Sequence, residues 1–292
     1  MRLLGTGALA ALGFFVGVFV NLLVDRVPRK RPLRPLGGGC RRCVPDPTLG
    51  ADEVDDAAGP AEDDVDVAGT ADDVDAAGPA EEDAPDGPMV GAVLWPGGRC
   101  QVCRRAPSPR YPAVQVLTAA TFGAVGLRLG ADWAVPAYLV LFASLLAISV
   151  IDLERNIIPN RIVYPTVFLS VPLLAVAAVA EGDLGRLGQA VVGAAAAWAA
   201  LLVIHLVSPA GMGFGDVRLS FVLGLFLGWL DLRLVLIGLF LGFLLGSVLG
   251  VLLVVLRLRG RRDHIPFGPF LAAGAVLAVF FGDPLMDWWL GG

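Results

Sequence analysis

The chain has 292 residues, of which 56% are hydrophobic and only 17% are charged. A soluble globular domain carries about a quarter charged residues, so this composition excludes an ordinary soluble protein and favours a bundle of membrane helices. The formal net charge of -5 is unevenly distributed, because 15 of the 27 acidic residues lie between Asp52 and Asp86 and the rest of the chain carries +10.

Apolar segments long enough to span a bilayer recur along the chain, where a spanning helix needs about 20 such residues. Eight segments are predicted, at 3–24, 112–127, 134–151, 162–180, 188–207, 217–230, 232–256 and 265–282. The sixth is short, because its rise of about 21 Å is less than a hydrocarbon core of about 30 Å. Either the bilayer thins there or the preceding loop dips into it. The predicted fold class is an all-α polytopic membrane helix bundle of about eight transmembrane helices.

Basic residues set the expected orientation of this bundle. Five of them, from Arg26 to Arg34, follow the first segment and indicate that its C-terminal end faces the cytoplasm. The first segment is too long for a signal peptide, and its bases come after it and not before. Alternation along the chain then places 18 of the 22 bases on the cytoplasmic side. We therefore expect eight crossings with both termini outside.

Glycines at four-residue spacing predict close helix contacts. One helix face is expected to carry the series Gly238, Gly242, Gly246 and Gly250. Shorter pairs of the same kind are Gly224 with Gly228 and Gly13 with Gly17. Faces of this kind let helices approach closely in a membrane, so they indicate a tight bundle and no particular chemistry.

The predicted organisation has three parts: a first transmembrane helix in 1–25, a cytoplasmic loop in 26–110, and a transmembrane core in 111–292. The loop contains two C-x-x-C pairs, which are Cys40 with Cys43 and Cys100 with Cys103. Two such pairs can supply four thiolates to a structural Zn²⁺ in a small Cys-knuckle domain, and a reducing cytoplasm disfavours disulfides. The alternative is reduced thiols in a mobile loop.

An acidic segment at 51–88 separates the two cysteine pairs. It contains a near repeat, because the stretch that begins at Ala57 returns at Ala76. High charge and the scarcity of large apolar residues predict a disordered segment, since little surface can be buried. We interpret it as a tolerated insertion, whereas metal binding by its carboxylates is the weaker alternative.

Two carboxylates are the candidate catalytic residues. Asp152 is expected at the end of the third segment and Asp216 at the start of the sixth, so both would lie at the cytoplasmic membrane edge. Carboxylates at such positions are costly, and two adjoining ones divide into an acid and a base, as water attack on a carbonyl requires. Gly213 and Gly215 remove side chains near Asp216 and would let a substrate backbone approach. The alternative is that both aspartates merely end helices.

Two histidines are the other candidates for chemistry near the membrane edge. His205 and His264 are expected near cytoplasmic helix ends, where a helix-end or interfacial role is the default. The sequence has no convincing serine–histidine or cysteine–histidine arrangement that would compete with the aspartates.

The order of five motifs resembles the type IV prepilin peptidases, which are GxGD-type aspartic proteases of the bacterial inner membrane. Gly17–Pro28 is similar to the family's motif in its first span. The cysteine pairs, together with Arg110-Tyr111-Pro112, are similar to the motif in its cytoplasmic domain. Asp152 with Ile158-Pro159 is similar to the family's first catalytic block, and Gly213-Phe214-Gly215-Asp216 is similar to its second. Residues 265–270 are similar to the motif in its last span. The resemblance covers nearly everything outside 46–88.

This resemblance implies an endopeptidase that removes the short basic leader of prepilins or pseudopilins on the cytoplasmic side of the inner (plasma) membrane. Asp152 and Asp216 would be its catalytic pair, and proteolysis would need no cofactor. Family members also methylate the new N-terminus with S-adenosylmethionine. Here Gln115 replaces the usual Glu and the acidic insert replaces the usual loop, so methylation is an open alternative.

A non-catalytic membrane protein is the rival interpretation, either a small transporter or a pilus-assembly scaffold. A transporter should carry ionisable residues near the middle of its spans. Here the span interiors are almost free of charge and the carboxylates gather at one edge. The pattern therefore favours the protease, with lipid and a prepilin-like substrate as partners and no nucleic acid.

Overall fold

A computed structural model describes residues 2–28, 109–209, 212–256 and 266–290. These residues belong to one compact unit and form helices with short connections, with no strand among them. Their eight helices are α1 (Arg2–Arg26), α2 (Arg110–Leu129), α3 (Val135–Arg155), α4 (Asn160–Glu181), α5 (Leu184–Val207), α6 (Phe214–Leu230), α7 (Leu232–Val255) and α8 (Gly268–Leu290). The predicted helix bundle is confirmed.

Seven of these eight helices are long and apolar enough to cross a membrane, which makes the chain a multi-pass membrane protein. The remaining helix, α6, has 17 residues and rises about 25 Å. Each predicted segment overlaps one helix. The largest boundary error is in the last one, which begins at Gly268 instead of 265 and continues eight residues beyond 282.

The short helix α6 lies at the centre of the described bundle. Most of its side chains are buried, including Trp229 at 1% exposure, and it contacts α4, α5, α7 and α8. The outer helices instead expose large apolar side chains, for example Phe168 at 84% and Leu236 at 73%. A short helix is therefore shielded from lipid by its neighbours.

Glycines account for the closest helix contacts, as the four-residue spacing predicts. A Cβ added to Gly228 would lie 2.7 Å from the carbonyl oxygen of Gln189 in α5, and one added to Gly17 would lie 2.7 Å from Cα of Gln115 in α2. In α7, a Cβ on Gly242 would lie 3.1 Å from Cα of Leu271 in α8. Larger residues at these positions would force the helices apart.

Ion pairs join helix ends at both ends of the bundle. At one end, Arg110 at the start of α2 pairs with carboxylates near the ends of α1 and α3. At the other end, Arg128 of α2 pairs with Asp283 of α8, and Arg186 of α5 pairs with Glu181 of α4 at 2.5 Å. The apolar middle of the bundle thus separates two polar rims, as in a membrane-spanning protein.

Candidate active site

Asp152 lies in the last turn of α3, and its surroundings are set by how that helix ends. Asn156 adopts the left-handed conformation with φ 53°, and its N–H donates to the carbonyl oxygen of Asp152 at 2.8 Å. Asparagine tolerates this conformation, which ends the helix. The Asp152 side chain is only 4% exposed, and its Oδ2 accepts a hydrogen bond of 3.0 Å from the N–H of Gly268.

Gly268 is the first residue of α8, so this amide belongs to a helix N-terminus. The first N–H groups of a helix lack partners within the helix and favour a negatively charged acceptor. Asp152 supplies that acceptor from another helix, α3. The contact explains how a buried carboxyl group is held without a cation.

Asp216 lies in the first turn of α6, after the extended residue Gly213. Its N–H donates to the Gly213 carbonyl oxygen at 3.1 Å, which starts the helix. The side chain is 6% exposed, and its Oδ1 is buried with no hydrogen-bond partner among the described residues. A buried polar atom without a partner is costly, and such atoms often mark sites of chemistry.

The structure brings the two aspartates to the same end of the bundle. The side chain of Ile158 lies next to both Gly215, which precedes Asp216, and Gly268, which binds Asp152. The helix that binds Asp152, α8, also contacts α6, which carries Asp216. Neither carboxylate forms an ion pair with any residue in the described ranges.

The two glycines before Asp216 have different surroundings. A Cβ added to Gly213 would meet Oδ2 of Asp216 at an ordinary 3.4 Å, and Gly213 itself is exposed. A Cβ added to Gly215 would lie only 2.9 Å from Cβ of Ile158, in the connection between α3 and α4. The space next to Gly215 is therefore filled by protein, whereas Gly213 lies at an open surface.

His205 and Arg218 support the segment that carries Asp216. The Nδ1 atom of His205 lies 2.8 Å from the carbonyl oxygen of Met212, and its ring packs against Phe214 at 5.5 Å. Arg218 donates to Oδ1 of Asn160 at 2.5 Å and lies over the Phe214 ring. The helix-end role expected for His205 agrees with this contact, and His264 lies outside the described residues.

A polar network next to the site was not predicted from the sequence. Arg110 pairs with Asp25 and, at 2.6 Å, with Glu154. The hydroxyl of Tyr111 donates to Oδ2 of Asp25 at 2.7 Å, and Asn21 donates to the Tyr111 carbonyl oxygen at 3.1 Å. The sequence feature that could have indicated this network is the set of polar residues at the ends of the first three spans. The network joins α1, α2 and α3.

The proposed zinc ligands Cys40, Cys43, Cys100 and Cys103 lie outside the described residues, as does the acidic segment between them. Within the described ranges, no group of three or more histidine, cysteine, aspartate or glutamate residues could hold a metal ion. The zinc prediction therefore concerns residues that the structure does not describe.

Comparison with known proteins identifies the family of the chain. Residues 139–255, which include both aspartates, match the type IV leader peptidase family. The chain is 36% identical to an Aeromonas hydrophila protein named prepilin leader peptidase/N-methyltransferase, over 68% of the chain and 67% of that protein. A Bacillus subtilis protein of the same name is 32% identical over 68% of the chain and 77% of its own length.

A third similar protein, from Pseudomonas aeruginosa, carries the same name and is 35% identical over 65% of the chain and 64% of its own length. No solved structure matches the chain significantly. The comparisons therefore rest on sequence, and the geometry comes from the structure described above.

Proposed function

The chain belongs to the type IV leader peptidase family, and we propose that, as a prepilin peptidase, it removes leader peptides with Asp152 and Asp216. The observation that carries this proposal is the pair of buried carboxyl groups, 4% and 6% exposed, at one end of the bundle without a compensating cation among the described residues. Type IV prepilins or pseudopilins are the substrate class, because the relatives are named for prepilin leaders.

The proposed chemistry is attack of water on the scissile peptide carbonyl. The ionised member of the pair takes a proton from water, and the protonated member donates a hydrogen bond to the carbonyl oxygen. Proton return to the amine leaving group completes the hydrolysis and needs no metal or cofactor. The two groups titrate as a pair, so we assign the acid and base roles to the pair and not to single residues.

The open face next to Gly213 supports a path for the substrate backbone. Gly213 is exposed and directly precedes the turn that carries Asp216. An extended peptide can approach a glycine more closely than any other residue. We propose that the scissile bond passes this face on the cytoplasmic side of a bacterial plasma membrane. In the proposed topology, both termini of the chain lie on the opposite side.

The proposal is tested by replacing Asp152 or Asp216 with Asn and following leader removal from prepilins and pseudopilins by gel electrophoresis. Asn keeps the shape of the side chain but cannot act as the base, so leader removal should fall at least about 1000-fold. Asp132→Asn is a matched control, because Asp132 lies at the opposite end of α3. Undiminished cleavage by a well-folded Asp152 or Asp216 variant would favour the scaffold or transporter interpretation.

Methylation of the new N-terminus is a second proposal, because the relatives are also named N-methyltransferases. S-adenosylmethionine would supply the methyl group. The family resemblance links this activity to the cytoplasmic loop, 26–110, which lies mostly outside the described residues. Labelled S-adenosylmethionine added to the cleavage reaction decides the question. An unlabelled product with normal cleavage would make the chain a peptidase only.

Structural zinc binding is also proposed, on the spacing of the two cysteine pairs alone. Four thiolates in this arrangement would hold the metal tetrahedrally and fold the loop around it. Purified protein should then contain one zinc per chain, measured by atomic absorption. The Cys40→Ser and Cys100→Ser double variant should lose the metal, and metal-free wild-type protein would refute the proposal.

A further inference from the structure

One apolar side chain contacts both backbone segments that hold the aspartates. It belongs to Ile158, six residues after Asp152 and beyond the end of α3, where it packs half-buried against the core. A Cβ added to Gly215 would lie 2.9 Å from Cβ of Ile158. A Cβ added to Gly268 would lie 3.2 Å from Cδ1 of the same side chain. Ile158 therefore lies against both glycines.

Each of the two glycines is adjacent to one aspartate. Gly215 precedes Asp216 at the start of α6, and Gly268 starts α8 and donates its N–H to Oδ2 of Asp152. The Ile158 side chain therefore lies between the two helix starts that hold the aspartates.

We propose that Ile158 is the positioning residue of the carboxyl pair. This inference rests on the proposed function, since it concerns the reaction of that pair. Ile158 does not touch the reacting atoms. It keeps the starts of α6 and α8 at the distance at which Asp152 and Asp216 share one water and one carbonyl. A displacement of about 1 Å in such a site can slow a reaction about 100-fold.

The absence of side chains at the two glycines supports this assignment. A Cβ on Gly268 would also lie 2.7 Å from Oδ2 of Asp152, so a larger residue would displace the carboxylate. At Gly215 the contact is with the branched Cβ of Ile158, which cannot move without moving the connection between α3 and α4. These contacts leave Ile158 little room to shift, as a spacer requires.

The test is a series of substitutions at Ile158, with kcat and KM measured for a prepilin leader peptide and purified full-length protein. Leu keeps the volume and the reach to both glycines, so kcat should stay within about 3-fold of wild type. Val loses the methyl group that faces Gly268, and kcat should fall about 10-fold. Ala leaves only Cβ, and kcat should fall about 100-fold, with KM unchanged throughout.

Two matched controls separate positioning from general packing. Ile148→Val removes the same methyl group from a buried site one turn before Asp152, and Ile157→Ala changes a neighbour that is 45% exposed. Both should keep the wild-type kcat. Ile148→Val should lower the melting temperature at least as much as Ile158→Val does, because Ile148 is fully buried and Ile158 is only half-buried.

The results distinguish failure of the inference from failure of the proposed function. A graded fall in kcat at Ile158 with unchanged controls supports positioning. If Ile158→Ala keeps the wild-type kcat, or Ile148→Val loses as much as Ile158→Val, the inference is wrong while the function stands. If Asp152→Asn cleaves as fast as wild type, the proposed function is wrong and the inference with it.

Discussion

Two carboxylates in the last turn of α3 show how differently neighbouring acidic groups are held. Glu154 lies in the polar network, where its Oε1 accepts from Arg110 at 2.6 Å and its side chain is 25% exposed. Asp152, two residues earlier, is 4% exposed and accepts from the amide of Gly268. One carboxylate is neutralised by a cation, and the other is held only by an uncharged backbone group.

This difference suits Glu154 to a structural role and Asp152 to the proposed chemical one. A carboxylate in an ion pair with arginine is held in its charged form and is a poor partner for proton exchange. A carboxyl group next to a second carboxyl group, with no cation, can pass a proton between the two. The polar network therefore stabilises the junction of three helices, whereas the proposed mechanism assigns catalysis to Asp152 and Asp216.

Among variants that alter how Asp152 and Glu154 are held, the largest effect is expected for Gly268→Ala, which disturbs the hydrogen bond from the Gly268 amide to Asp152. The added Cβ would lie 2.7 Å from Oδ2 of Asp152 and would displace the carboxylate from the amide. Cleavage should fall about 100-fold. The measurement is the initial rate of leader removal, corrected for the amount of folded protein.

Gly188→Ala is the matched control, because a Cβ at Gly188 meets nothing within 4 Å. It should keep the wild-type rate and gain slightly in helix stability. Equal rates for the two alanine variants would contradict the role of the Gly268 amide.

A smaller effect, on stability and not on rate, is expected for Arg110→Met. The substitution leaves Asp25 and Glu154 without their shared cation in a partly buried network. The free energy of unfolding should fall by about 2 kcal/mol, less than for a fully buried pair because solvent screens the carboxylates. Thermal unfolding in detergent measures the change. A normal melting temperature with lost cleavage would place Arg110 in the catalytic machinery. It would contradict a purely structural role for the network that contains Glu154.

The smallest effect is expected for Tyr111→Phe, which removes one hydroxyl from the same network. Its 2.7 Å hydrogen bond to Asp25 should be worth about 1.5 kcal/mol, because the acceptor is charged. Cleavage per folded molecule should remain within about 2-fold of wild type, as measured by kcat. Tyr164→Phe, at a side chain that is 57% exposed, is the control and should change neither quantity.

The sequence alone could predict the bundle and the two candidate carboxylates. Runs of apolar residues at 134–151 and 232–256 are long enough to identify helices, and glycine spacing identifies their close contacts. The distribution of basic residues predicts that Asp152 and Asp216 lie at the same membrane edge. Local composition is sufficient for the helices, whereas the placement of the two aspartates also needs the alternation of segments along the chain.

Contacts between distant segments could not be predicted in this way. The bond from Gly268 to Asp152 joins residues 116 positions apart, and nothing in either segment encodes the pairing. The packing of Ile158 between two glycines depends on how three helix ends meet. The last helix was also placed three residues too early, because the apolar pattern continues through Pro266-Phe267 into the connection.

A comparison of single and double variants decides whether Asp152 and Asp216 act as one unit. The measurement is the rate of leader removal by Asp152→Asn, Asp216→Asn and the double variant, each shown to be folded. Groups that act together lose their whole contribution when either is removed. If the two aspartates act as one unit, all three variants should be equally slow. A double variant slowed by the product of the two single effects, or a single variant that still cleaves, would contradict it.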